Sequence, residues 1–270
     1  MRPNTVFLNQ PNEFWALVRG VSESLGYSQR KTGDGKQGLK KYPPDEIALY
    51  AKPFSIPKNV TIKVGEYLDY RSSLLTEKIR PLFMDRSEAK KIFKELYTKY
   101  KPKCPLPMNK QKGVKRHYAY LTCIVNVLTE ANLKKLTCNY SPRGLCVLTN
   151  ASNRLVKVLS RWMDGAYPDV KNPEVVWEVK EYYGTTTFGS RVADGVYETQ
   201  LDGYEILEAE KASGKRIQHY LLVDDRFTWW DCGRSYLCRL IDMVHMGLVD
   251  EIIFGKEVLI RWPEIVRSWK

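Results

Sequence analysis

The stretch Val175-Val176-Trp177-Glu178-Val179-Lys180 constrains this chain more than any other. Side chains alternate across a strand, so Val175, Trp177 and Val179 share one face while Glu178 and Lys180 share the other. One face is built to pack and the other ends in a carboxylate beside an ammonium. Before the strand, Tyr167-Pro168-Asp169 leads into a turn over Lys171, Asn172 and Pro173. The two arms read as a hairpin, and folding them together is expected to bring Asp169 near Glu178. Two converging carboxylates repel unless a cation sits between them. Mg²⁺ suits such a site, because it binds through one or two carboxylates plus water and substrate phosphate. Lys180 can then orient a water or stabilise developing negative charge. The layout fits hydrolysis of a phosphodiester.

The charge distribution points to the substrate. Of 270 residues, the first 150 hold 27 Lys and Arg against 12 Asp and Glu, and the remainder hold 16 against 19. A basic half joined to a slightly acidic half fits a polyanion-binding part beside a carboxylate-bearing part. We therefore divide the chain into a basic recognition region, 1–149, and a catalytic core, 150–270. Duplex DNA is the expected partner. Two basic, Pro- and Gly-punctuated loops, 28–44 and 101–118, are candidates to grip its phosphates through Lys31, Lys36, Lys40, Lys112, Lys115 and Arg116. Arg191, after the Gly/Thr-rich stretch 184–190, is a further candidate. An ordinary solvated loop is the competing reading for each.

No apolar run is long enough to cross a membrane, and the N-terminal stretch lacks the apolar core of a secretion signal. The six cysteines form no C-x-x-C pair, and the three histidines fall at no ligand spacing with them. Reduced cysteines in a cytoplasmic protein are expected.

Helical periodicity is read over 5–27, 71–100 with a break at Pro81, 119–136, 150–162, 192–210 and 233–253. Strands are expected at 175–180, 219–225 and 257–260, and short strands or irregular structure over 45–70. Helices alternating with short apolar strands predict an α/β (mixed α+β) fold, a central mixed sheet flanked by helices with a basic helical and loop region before it.

Pro168-Asp169, eight intervening residues and Glu178-x-Lys180 match the PD-(D/E)XK signature. Residues 150–260 thus resemble the restriction-endonuclease-like nuclease superfamily. The resemblance implies Asp169 and Glu178 as Mg²⁺ ligands, joined by the carbonyl of Val179, with Lys180 as the catalytic lysine. It implies a Mg²⁺-dependent endonuclease cutting double-stranded DNA to leave 5′-phosphates, a type II restriction enzyme acting as a homodimer. A structure-specific repair nuclease and a non-enzymatic nucleic-acid-binding protein are the alternatives. Gln200-x-x-x-Tyr204 resembles an element of some of these nucleases, which makes Gln200, with Asp164, a candidate to stand beside the metal ligands, although i,i+4 residues are also simply helix neighbours. Asp164 competes with Asp169 as first ligand, but its place before Gly165 also suits a helix-end turn. Glu198 on the following helix is either a neighbour of the site or a solvated helix residue. The cluster Arg226, Trp229, Trp230 and Arg234 could stack bases, but core packing is the commoner use of tryptophan.

Overall fold

The structure is a computed structural model, and it describes residues 1–29, 38–134, 137–183 and 189–269. The mixed α/β class is as expected. Three helices come first: α1 (Asn12–Leu25), α2 (Pro44–Ala51) and α3 (Lys58–Ser73). They build a small core of their own around Phe14, Leu17, Val21, Ile47, Val64 and Tyr67. The expectation of strands or irregular structure over 45–70 is thus corrected. The prolines there start helices rather than break them: Pro44 sits in the first turn of α2 and Pro57 is the residue before α3. A proline has no N–H to lose in a helix's first turn, and its fixed φ suits that position.

After a π-helical turn, Leu74–Ile79, and the break at Pro81, the chain enters α4 (Arg86–Tyr100) and later α5 (Tyr120–Asn132). A two-stranded hairpin follows, β1 (Val147–Thr149) paired antiparallel with β2 (Leu155–Val158). The helix expected over 150–162 is therefore a hairpin turn and strand. Asn150 decides this locally, because its side chain accepts hydrogen bonds from the Ser152 and Arg154 N–H groups (both 3.0 Å), while Asn153 takes a left-handed conformation (φ 57°). Side-chain bonds of this kind compete with a helix for the backbone.

The main sheet has the order β3 (Gly165–Tyr167), β4 (Val175–Glu181), β5 (Gln218–Asp224), β6 (Glu251–Phe254). β3 and β4 are antiparallel, whereas β4, β5 and β6 are parallel. The parallel crossovers run through α6 (Ser190–Ser213) and α7 (Arg234–His245), and α8 (Val258–Ser268) closes the described chain. The last strand is thus 251–254 rather than 257–260. Helix α7 stops at His245, and Gly247 (φ 77°) turns the chain back into the sheet.

The alternation in β4 places its two faces as expected. Val175 and Trp177 pack into a core shared with α4, α5 and α8. On the other face, Val176 packs with Ile206 and Ala209 of α6, while Leu221 and Val223 of β5 pack with α6 and α7. Met84, Phe93, Tyr120 and Ile124 belong to the first of these cores. A boundary at 149/150 would therefore cut α4 and α5 from the sheet they cover. The N-terminal helices join this body through a buried ion pair, Arg71 Nη1 donating to both oxygens of Asp242 of α7 (2.9 Å to each), to which the Tyr67 hydroxyl also donates (2.7 Å).

Candidate active site

The register of the β3–β4 hairpin decides which carboxylate faces Glu178. Gly165 pairs with Trp177, Ala166 with Val176 and Tyr167 with Val175. One step further out, Asp164 lies opposite Glu178. Two hydrogen bonds fix it there: the Asp164 N–H donates to the Trp177 carbonyl (3.1 Å), and the Val179 N–H donates to the Asp164 carboxylate (2.8 Å). Gly165 makes this possible, because a Cβ at that position would collide with the Trp177 indole lying across it. Gly165 is therefore a close-approach glycine within a strand, and not the end of a helix.

Asp169 lies elsewhere, which corrects its expected place beside Glu178. It follows the cis Tyr167–Pro168 peptide, past the end of β3, and is exposed. The Asn139 side-chain amide (2.8 Å) and the Val170 N–H (2.8 Å) donate to its carboxylate and hold it below the usual carboxylate range. The physical reason is antiparallel geometry. Residues nearest a turn pair with one another, so a carboxylate five positions closer to the turn than Asp164 cannot reach a residue near the far end of β4.

Glu178 and Lys180 lie on one face, both buried, with the Lys180 ammonium 2.6 Å from the Glu178 carboxylate. Helix α6 supplies the rest of the cluster. Glu198 receives Lys180 (3.1 Å) and Arg161 (2.9 Å), and Arg161 also reaches Asp202 (2.7 Å). Arg161 stands 3.7 Å from Glu178. Glu198 and Asp202, at i and i+4, share a helix face. Gln200 lies about 200° around the helix from Glu198, so it points away from the cluster. Its expected place near the site is corrected, and Glu198 and Asp202 take that place. A charged residue every four positions on the inward face of α6 was the available signal.

The electrostatics are those of crowded carboxylates. Asp164 is exposed, yet the protein packed around it and the Glu178 charge raise its pKa to about 6, against the pull of the Val179 N–H, Lys180 and Lys110. Burial and Glu178 likewise push Asp202 to about 7, and one of its oxygens is buried without a hydrogen-bond partner. Burial alone would favour the neutral Lys180 amine, but Glu178, Asp164 and Glu198 outweigh it and raise the pKa. On the opposite face of β4, Glu181 accepts from the Leu121 N–H (2.6 Å) and the Thr122 hydroxyl (3.2 Å) at the start of α5, and burial raises it to about 8.

The basic residues divide. Lys40 is engaged within the N-terminal helices, donating to the Leu25 carbonyl (3.2 Å) and pairing with Glu46 (3.1 Å). It is thereby tied to structure rather than free for a phosphate. Lys112, Arg116 and Arg191 are exposed. Lys110, on the loop of Lys112 and Arg116, is near enough for its charge to act on Asp164. Lys31, Lys36, the Lys115 side chain and residues 184–188 lie outside the described residues. Trp229 and Trp230 are core residues, and Arg80 and Arg234 stack on Trp230.

Asp164 and Glu178 fit a hard cation. Both offer carboxylate oxygens, and Asp164 is held by its backbone across from Glu178. Among the described residues no group of three or more His, Cys, Asp or Glu side chains is gathered for a metal. Two carboxylates suit Mg²⁺, which keeps several waters and takes further oxygens from backbone and substrate. Among the described residues, no helix is long and apolar enough to cross a membrane.

Residues 84–269 match the family model described as a domain of unknown function, DUF7687. The chain belongs to that family. Residues 1–78 match a second domain of unknown function, DUF7690. The two matches meet near residues 78–84, where the three-helix core gives way to α4 and the sheet-centred body. No curated protein and no solved structure matches the chain.

Proposed function

We propose that this chain is a Mg²⁺-dependent endonuclease of the PD-(D/E)XK kind, cutting double-stranded DNA to leave 5′-phosphates. The observation that carries the reading is the pairing of Asp164 with Glu178 across β3 and β4, with Lys180 on the Glu178 face. The order of elements supports it: an antiparallel hairpin bearing the acids, then a helix crossover to a parallel strand, with helices on both faces. Asp164 replaces Asp169 as the proposed first ligand, alongside Glu178 and the Val179 carbonyl.

A bound Mg²⁺ would activate water and neutralise charge on the phosphoryl group. The protein's own groups do the rest. Lys180 holds its charge through Glu178 and Glu198, and so presents a fixed ammonium to an attacking water or a developing oxyanion. Arg161 clamps Glu198 and Asp202 and keeps both from drifting toward the cation-binding oxygens. Lys110 brings positive charge to the Asp164 side of the site, and the exposed Lys112 and Arg116 follow it on the same loop.

A type II restriction enzyme acting as a homodimer is the proposed form. Digestion of a defined plasmid with Mg²⁺, followed by sequencing of the ends, tests this. Discrete bands with 5′-phosphates are expected. Cutting confined to branched substrates would make it a repair nuclease, and no cutting with Mg²⁺ or Mn²⁺ would overturn the enzyme reading. Sedimentation is expected to show a dimer.

A further inference from the structure

Beyond the carboxylate cluster, a second feature sits at the same edge of the sheet. A cavity of about 300 Å³ is lined by Thr76, Arg80, Phe83, Glu88, Arg226 and Lys256. Its charges do not balance. Lys256 pairs with Glu88 (2.7 Å), and among the described lining residues that carboxylate is the one acidic group beside three cations. Arg80 lies over the Trp230 ring, 5.2 Å from its centroid, a contact that adds no negative charge. The Arg226 side chain forms no hydrogen bond or ion pair among the described residues, and its N–H donates to the Met84 carbonyl (3.0 Å). A concave site with two uncompensated guanidinium groups and a hydroxyl fits a phosphate group.

Its position ties it to the candidate active site. Arg226 follows the end of β5 by two residues, and Lys256 follows the end of β6 by two. Lys180, Val223 and Phe254 stand side by side on the three parallel strands. Neighbouring strands lie about 4.8 Å apart, so β6, which leads into the cavity at Lys256, runs about 10 Å from β4, which carries Lys180. Both sites are at the carboxyl ends of the parallel strands, where open α/β sheets bind ligands. The cavity wall is rigid. The Met84 N–H donates to Asp224 at the end of β5 (3.0 Å), and Gly255 lies against the Leu82 carbonyl so closely that any Cβ would collide with it.

We infer that the Arg80–Arg226–Lys256 cavity binds a backbone phosphate of the DNA strand, a nucleotide or a few away from the bond held at Asp164 and Glu178. This rests on the nuclease reading for its substrate but not for its test. The cavity fixes the strand's position along the sheet edge, and Glu88 tempers its affinity.

The test is binding of a short labelled duplex to the full chain in EDTA, where cleavage plays no part, followed across a range of salt. Arg226→Glu is expected to weaken binding about tenfold or more and to reduce the salt slope by about 1. Glu88→Gln, which keeps the capping geometry of α4, is expected to tighten binding. Lys211→Glu makes the same charge change on α6 near the opposite edge of the sheet, and is expected to alter binding less than about twofold. Thermal melts confirm that each variant folds. Equal weakening by Arg226→Glu and Lys211→Glu would overturn the inference, and so would no effect of either. If inorganic phosphate raised the melting temperature through Arg226 while duplex binding ignored it, the cavity would serve a free anion and the inference would also fail. Loss of duplex binding in Arg226→Glu without any cleavage by the wild type would uphold the cavity and sink the nuclease reading.

Discussion

The two ends of the β3–β4 hairpin carry one aspartate each, and they could hardly differ more. At the open end, Asp164 is locked between the Trp177 carbonyl and the Val179 N–H, with a raised pKa and a carboxylate opposite. At the turn end, Asp169, exposed like Asp164, accepts from Asn139 and Val170 on one oxygen and has a lowered pKa. Asp169 differs in position: it lies past the end of β3, five residues nearer the turn, whereas Asp164 is held by its backbone opposite Glu178, where a cation could bridge two carboxylates. Strand register makes this difference, and the spacing of residues in a motif does not.

The comparison breaks most readily at Lys180 and Glu178, which belong to the open end. Lys180→Ala is expected to lower Mg²⁺-dependent cleavage by about 10²–10³-fold, and Glu178→Gln to do at least as much. Single-turnover rates measure this, with melts alongside, because opening a buried ion pair costs about 3–5 kcal/mol. Cleavage unchanged in either variant would remove the open end from the chemistry.

The pH dependence sharpens the same contrast. Asp164 must lose its proton to hold a cation, so the rate is expected to rise about tenfold per pH unit up to about 6 and to level off above it. A profile set by Asp169 would instead already be level across this range, because its pKa is lowered from the ordinary aspartate value. Rates from pH 5 to 8, measured below saturating Mg²⁺, separate the two.

Glu181 tests whether the strand's other face is structural. Its pKa is raised from 4.5 to about 8, so the folded state binds a proton that the unfolded state releases. Glu181's contribution to stability is therefore greatest below about pH 4.5, falls as pH rises through that window to about 8, and is flat above it. Glu181→Gln is expected to flatten the fall and to gain roughly 1–3 kcal/mol at pH 8. Urea melts at several pH values check this, and a wild type equally stable at pH 5 and pH 8 would contradict it. The smallest effect is expected at Gln200, on the far side of α6, where Gln200→Ala should change cleavage less than about twofold.

Much of this architecture is legible in the residues. The two-faced strand, its parallel partner at 218–224 and the helix between them follow from periodicity and apolar runs. So does the pairing of Glu178 with Lys180. Three things are not legible, each for a physical reason. Prolines at 43, 44 and 57 punctuate a sequence equally well whether they end a strand or open a helix, so α2 and the start of α3 were hidden. Residues 155–162 carry helical spacing, but the side chains of Asn150 and Asn153 favour a turn that tertiary pairing with β1 then rewards. The glycine after Asp164 looks like a helix stop until the Trp177 ring is seen to need its missing Cβ. Basic charge follows the surface of α4, whereas its buried face packs with the sheet, so charge alone does not mark where the core begins.

The central claim is that register, and so Asp164, supplies the first carboxylate. Plasmid cleavage with Mg²⁺ by the wild type, Asp164→Asn and Asp169→Asn, run side by side, tests it most directly. The account predicts a loss of about a hundredfold or more for Asp164→Asn and a change within about twofold for Asp169→Asn. The reverse order, with Asp169→Asn inactive and Asp164→Asn cutting normally, would contradict it.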